Sequence, residues 1–261
     1  MSKDLKIILI TAISFGLYFA LREAYFADLR SWLNDYVHSI AFSHFLTYLL
    51  LGLPLLLGVG LMHGFRAYWE KVGLNRSVLK GFLFALLCTL PMLIGYALVF
   101  DFNSEITARQ IIAGALVAAF IEELFYRGIL FGQLFRFTRL GFIPSVLFGA
   151  LIFASAHLYQ SQDPSTLIGI FLTTFMGGVW FAWVYVEWEN NLWVAIFLHL
   201  LMNLFWMLFA VSDNALGNQW GNVFRIATIA LVVMLTLRYK KQKGLKLTVN
   251  RNTLWIKKLP T

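Results

Sequence analysis

The chain is short of charge, and that shortage sets its class. Of 261 residues only 13% are Asp, Glu, Lys or Arg, while 60% are hydrophobic. Soluble domains carry about 25% charged and roughly 45–50% apolar residues. No stretch before the C-terminal tail is long and polar enough to make a soluble domain, so the composition excludes one. The single cysteine, Cys88, excludes an intrachain disulfide and a multi-cysteine metal cluster, and within its apolar run it reads as a small core residue. No His-Glu-x-x-His helix is present, so the usual signature of soluble zinc proteases is lacking. There is no internal repeat of the kind many transporters show, which weighs against an ion-coupled transporter.

What the chain has instead is a series of apolar runs, each about 20 residues long, the length that crosses a bilayer as a helix. They are expected near 5–21, 40–62, 79–100, 107–135, 142–158, 166–186, 192–211 and 222–238. The fold class that follows is all-α, a polytopic membrane protein of about eight transmembrane helices. Residues 1–240 read as a single integral membrane domain and 241–261 as a basic C-terminal tail. The N-terminus, Met1 to Lys6, is short and basic and precedes an apolar run, but no Ala-x-Ala type site follows before Arg22. An uncleaved first span is expected. Between the second and third spans, 66–76 mixes Arg, Tyr, Trp, Glu and Lys with Val and Leu and reads as a short interfacial helix.

The net charge of +8 could point to nucleic acid, but eight of the 21 Lys and Arg fall between Arg238 and Lys258. A basic segment directly after the last apolar run is attracted to anionic lipid headgroups, so the expected partner is the bilayer and not nucleic acid. With the N-terminus inside, sixteen Lys and Arg lie on the inner side and four, Arg22, Arg30, Arg109 and Arg225, on the outer. That bias predicts both termini in the cytoplasm. The compartment expected is a bacterial inner membrane.

One stretch violates the apolar pattern. Glu122, Glu123 and Arg127 stand inside the run from Ile111 to Phe135. An ionisable group at membrane depth costs at least ~2.5–3.5 kcal/mol on insertion scales, so such groups usually face a cavity and usually have work to do. Glu123 and Arg127, four residues apart on one helical face, form a matched ion pair with the acid N-terminal to the base. Glu122 is rotated away and shares its face with Tyr126, Ala118 and Gly114, the two small residues letting a neighbouring helix come close. Glu122 is then the carboxylate without an intrahelical partner, a candidate general base.

Two more polar sets interrupt apolar spans. His157 lies one turn after Phe153, and His199 shares a face with Asn203. Three helices carrying Glu, His, His and Asn predict a shared cavity, because each group otherwise needs its own partner in hydrocarbon. Glu122 with His157 can hold and deprotonate a water while His199 and Asn203 donate to an oxyanion, the parts that amide hydrolysis needs. The same Glu122, His157 and His199 could instead hold a divalent metal such as zinc, with one position open for water. Both readings stay open at this stage.

The three motifs in order, Glu-Glu-x-x-x-Arg at 122–127, Phe-x-x-x-His at 153–157 and His-x-x-x-Asn at 199–203, resemble those of the CPBP intramembrane proteases, the CAAX-processing and bacteriocin-processing group also called the Abi family. Arg127 to Phe131 and Gly177-Gly178 with Ala182 to Tyr185 are also similar, giving a family-like core of about 107–210. The resemblance implies an intramembrane endopeptidase acting on a membrane-associated peptide or protein. Glu122 and His157 would activate water, His199 and Asn203 would stabilise the oxyanion, and Glu123, Arg127 and Tyr126 would support them. The family is labelled both metalloprotease and glutamate-type, and it includes immunity and scaffolding factors, so a catalytically silent member is the alternative. Neither the substrate nor the oligomeric state follows from the sequence.

Depth supplies an internal check. Glu122 and His157 are each about 16 residues from the turn near 138–141, or ~24 Å at the helical rise, whereas His199 is only about 9 residues, roughly 14 Å, above the loop 187–191. The levels match only if the fourth and fifth helices project about 10 Å past the inner surface, which would open the cavity to the cytoplasm.

Overall fold

The computed structural model describes residues 1–257. Of the basic cluster expected in the tail, Lys258 lies outside the described residues, as does the rest of 258–261. The protein is a bundle of helices, and among the described residues the only extended pairing is a single bridge between Leu140 and Ile256.

Helix α1 spans Lys3–Val37, opened by the Ser2 side chain accepting from the Leu5 amide and closed at His38, whose φ of 52° ends the helix. At 35 residues it is far longer than the expected first span. The apolar run does stop near Leu21, but no Gly or Pro occurs from 17 to 51 to stop the helix, so it continues as a polar helix. Arg22 and Arg30, expected in an outer loop, therefore lie within a helix. Helices α2 (Ile40–Leu51) and α3 (Leu53–His63) form one run bent by 46° at Gly52. A Cβ at Gly52 would stand 2.4 Å from the Phe125 ring, so the break admits a side chain from the helix that carries the acidic pair. The expected interfacial stretch is present as a turn at Phe65–Ala67 and a short helix at Tyr68–Val72, with Trp69 exposed and Val72 buried.

Helix α4 (Val78–Val99) is followed by a run, here α5, that is helical without interruption from 108 to 137 but alternates between α and π geometry, with π turns at Ile112–Val117 and Glu123–Phe131. Then come α6 (Phe142–Ser155), α7 (Pro164–Glu187), α8 (Leu192–Leu208) and α9 (Gln219–Gln242). Asp163 caps α7: it accepts from the Ser165 hydroxyl and from the amide and hydroxyl of Thr166, contacts that hold its pKa at about 2. By length and composition five helices among the described residues can cross a membrane, α6 counting with the turn that carries it to Gln160, or six with the bent α2–α3 pair, against the eight expected. The difference lies partly in α5, which changes helical type, and in α8, which has only 17 residues.

The elements are tied together at one end of the bundle. Asp4 accepts from the Arg139 amide at 2.9 Å, the Gly73 carbonyl accepts from Leu192 at 3.1 Å, and Lys80 donates to the Tyr239 hydroxyl at 2.9 Å. After α9 the chain doubles back. The carbonyls of Thr253, Leu254 and Trp255 accept from Phe142, Ile143 and Gly141 at 2.6–2.9 Å and so satisfy free amides at the start of α6. Fully buried Glu187 receives the Lys240 ammonium at 2.9 Å and the amides of Thr248 and Val249 at 3.0 and 2.8 Å.

Glu187→Leu would leave two amides without their acceptor and the Lys240 ammonium with the more distant Lys246 carbonyl and Thr248 hydroxyl, at 3.4 and 3.3 Å, whereas Lys240→Met leaves Glu187 both backbone donors. Thermal unfolding in detergent should show Glu187→Leu as the more destabilised variant, by roughly 3–5 kcal/mol, the usual cost of breaking a buried pair. A reversed order would refute the account of this junction.

Candidate active site

The acidic pair sits where α5 passes from α to π geometry. Within the π segment the widened turn bonds the Gly132 amide to the Arg127 carbonyl, five residues back, and every residue from Glu123 to Phe131 is buried. Single π turns inside α-helices recur at functional sites because they re-aim side chains without breaking the helix.

The ion pair read from the spacing is present. Arg127 lies 3.2 Å from Glu123 Oε1, and both side chains are almost completely buried. The contact is not aligned as a hydrogen bond, and the two terminal nitrogens of Arg127 have no hydrogen-bond partner among the described residues. The guanidinium is instead flanked by two rings, 4.6 Å from the Phe153 centroid and 5.3 Å from that of Phe181, an arrangement that stabilises a desolvated cation. Gly178, from the expected glycine pair, lets α7 approach: a Cβ there would meet Ala150 at 3.3 Å and Arg127 at 3.8 Å.

Glu123 has a second partner that the spacing did not reveal. His199 Nδ1 stands 2.8 Å from Glu123 Oε1, and the imidazole stacks on Phe181 at 5.2 Å. A carboxylate oxygen accepts, so Nδ1 carries the hydrogen and donates it, which leaves Nε2 pointing away from the buried pair. That Nε2 is 3.9 Å from Glu122 Oε2. Glu122 and His199 are therefore at one level, as the depth argument required.

His157 is fixed in the same sense. Its Nδ1 lies 2.7 Å from the Phe153 carbonyl, and because a carbonyl can only accept, Nδ1 is the protonated nitrogen and Nε2 is left as a base. The histidine sits just past the end of α6, its ring 4.5 Å from Phe153. Glu122, His157, Tyr126 and Phe153 line one cavity of about 80 Å³. Glu122 keeps about a quarter of its side-chain surface exposed there, at 23%, while Glu123 has none. The face shared by Glu122 and Tyr126 is thus the cavity face. Asn203 is placed differently from the expectation. Its Nδ2 donates to the Gly114 carbonyl at 3.1 Å, so one of its two N–H groups is committed to holding α8 against α5. The close approach expected at Gly114 is made by α8, where Met207 would lie 3.1 Å from a Cβ.

Among the described residues no three His, Cys, Asp or Glu side chains converge closely enough to hold a metal ion. His199 and His157 each engage Nδ1, with a carboxylate and a carbonyl, and leave Nε2 free, and His157 makes no hydrogen bond to Glu122 among the described residues. Glu122 and His157 line the cavity, while His199 and Asn203 stand outside its lining.

Of the side chains that line the cavity without having been marked as site residues, three come from the first two helices, Tyr18 and Arg22 from α1 and Tyr48 from α2, and a fourth polar one is Tyr159. A signal was available, since Tyr18 and Arg22 are four residues apart and share a helical face. Placing Arg22 in a loop concealed it.

Residues 104–205 match the family model described as "Rce1-like: Type II CAAX prenyl endopeptidase Rce1-like". The chain is 36% identical over 99 residues to the Bacillus subtilis (strain 168) protein described as "Putative membrane peptidase YdiL". That alignment covers 37% of this chain and 35% of the relative, so the chain matches about a third of that protein's length. No solved structure matches it significantly.

Arg127→Met would leave Glu123 with His199 alone in a dry site. The expected result is a loss of about 3–5 kcal/mol in detergent unfolding, part of which Glu123→Leu restores in the double variant because the stranded charge is removed. Additive losses in the double-mutant cycle would show that the two side chains do not form the pair described.

Proposed function

With residues 104–205 carrying the Rce1-like, CPBP-type core, we propose that the chain is an intramembrane endopeptidase of the glutamate type, hydrolysing a peptide bond of a membrane-associated peptide or protein. The observation that carries the reading is the placement of Glu122 and His157 on one cavity with His199 Nε2 3.9 Å from Glu122.

In the proposed reaction Glu122 and His157 Nε2 hold a water in the cavity. As its oxygen attacks the scissile carbonyl carbon, the water's proton passes to Glu122. The oxyanion that forms is stabilised by His199, which Glu123 orients from the Nδ1 side, and by the remaining N–H of Asn203. When the carbon–nitrogen bond breaks, the proton held by Glu122 goes to the leaving amine. Glu123 and Arg127 touch no reacting atom: they fix the tautomer and direction of His199. Tyr126 covers the cavity face beside Glu122. Both termini are proposed to be cytoplasmic in a bacterial inner membrane, where the exposed Arg238, Lys241, Lys243, Lys246 and Arg251 meet anionic headgroups. CAAX-type and bacteriocin-type peptides are the substrate classes that the family-matched core suggests.

Purified protein in proteoliposomes, offered a farnesylated CAAX-type peptide and unmodified C-terminal peptides, should release fragments detectable by mass spectrometry. Glu122→Gln, His157→Ala and His199→Ala should each lower the rate by about 10²–10⁴-fold, with Glu122→Gln retaining the wild-type thermal midpoint. Three variants that cleave like wild type would end the proposal. Incubation with a strong chelator should leave the wild-type rate unchanged, and abolition of cleavage restored by added zinc would replace the glutamate-type reading with a metal-dependent one.

A further inference from the structure

Arg22 presents an unusual combination. It lies within the long α1 helix, just after the apolar run that ends at Leu21, so a charge there needs a counterpart or a polar cavity. It has the cavity: Arg22 lines the same space as Glu122 and His157, together with the phenols of Tyr18, Tyr48, Tyr126 and Tyr159. Its side chain is about a quarter exposed, at 25%, so the guanidinium is reachable from that space. Its counterpart is weak. Among the described residues its carboxylate partner is the neighbouring Glu23 at 2.6 Å, and Glu23 is 58% exposed. An ion pair so well solvated contributes little and can be exchanged for another carboxylate.

The levels agree independently of the cavity. Asp4 of α1 is bonded to the Arg139 amide just past the end of α5. Counting from that tie, Arg22 is about 18 residues along one helix and Glu122 about 17 along the other, so at the helical rise both stand roughly 26 Å from it. A cation and a candidate base thus face one space at one depth. The cation comes from outside the segment 104–205 that matches the family model.

We infer that Arg22 is the substrate-positioning residue of this site, taking a carboxylate of the peptide while the scissile bond lies against Glu122. The inference rests on the proposed peptidase reading. An arginine fork accepts a carboxylate through two parallel N–H···O bonds, and phenol hydroxyls can complete its shell, whereas an amide offers neither the charge nor the paired acceptors. The carboxylate can be the free C-terminus of the peptide or an acidic side chain, since both present the same group. In either case Arg22 touches no reacting atom. It sets where along the peptide the cut falls.

The test uses binding and cleavage on the same peptides, so that the two readings can fail separately. The probe is a fluorescent, acylated peptide in three forms: free C-terminal acid, C-terminal amide, and free acid with its Asp and Glu changed to Asn and Gln. Affinity for full-length protein in nanodiscs is read by anisotropy. Wild type should bind a carboxylate-bearing form roughly 10- to 100-fold more tightly than the form lacking that carboxylate. Arg22→Gln should erase the preference with an unchanged thermal midpoint, and Arg22→Lys should restore part of it. Loss of preference against the amide assigns the C-terminal carboxylate, and loss against the neutralised side chains assigns an acidic residue. Equal binding of all three forms by wild type, or a preference that survives Arg22→Gln, would overturn the inference. If the preference is present but no form is cleaved, the peptidase reading falls and the carboxylate site stands.

Discussion

The site depends on one buried carboxylate. Glu123 has no exposed surface, and it is tolerable only because Arg127 lies 3.2 Å away and His199 2.8 Å away on the same oxygen. Removing charge from water costs several kcal/mol per ion, which only close partners offset. Each partner is supported in turn by aromatic faces: Phe153 and Phe181 flank the guanidinium, and Phe181 stacks on the imidazole. The arrangement orients His199 by electrostatics rather than by steric fit alone. The other ring nitrogen of His199 then faces the cavity carboxylate, with Nε2 3.9 Å from Glu122.

Much of this was legible in the residues because the relevant spacings are local. The Glu123–Arg127 pair, the cavity face of Glu122 and Tyr126 and the small residue at Gly114 all follow from helical phase, whereas helical rise alone set Glu122 and His199 at different levels. What local spacing could not supply were contacts between distant elements. The bond from His199 to Glu123 joins residues 76 apart, and the bond that commits Asn203 joins residues 89 apart. Hydropathy also misplaced Arg22, since it marks where an apolar run ends and is blind to a helix that continues beyond it. The π turns leave no comparable trace in the pattern, and they explain why α5 is not counted as one long span. Convergence is likewise beyond local spacing: residue types permitted a metal, and among the described residues no three of them come together closely enough to hold one.

The cavity joins two parts of the chain. Glu122, Tyr126, Phe153 and His157 come from the segment 104–205, while Tyr18, Arg22 and Tyr48 come from the first two helices. The bend at Gly52 allows this, because its missing Cβ is the space that the Phe125 ring enters, three residues beyond Glu122. The groups with chemistry to perform are therefore held within one packed core, and the wall facing them is built by helices that this match does not reach. Such a division lets the reacting groups keep their geometry while the opposite wall changes, since Arg22 and the phenols beside it belong to α1 and α2 rather than to the Glu123 network. Selectivity can then vary without disturbing the buried charges, and a substitution on α1 should be cheaper to the fold than any change at 123, 127 or 199.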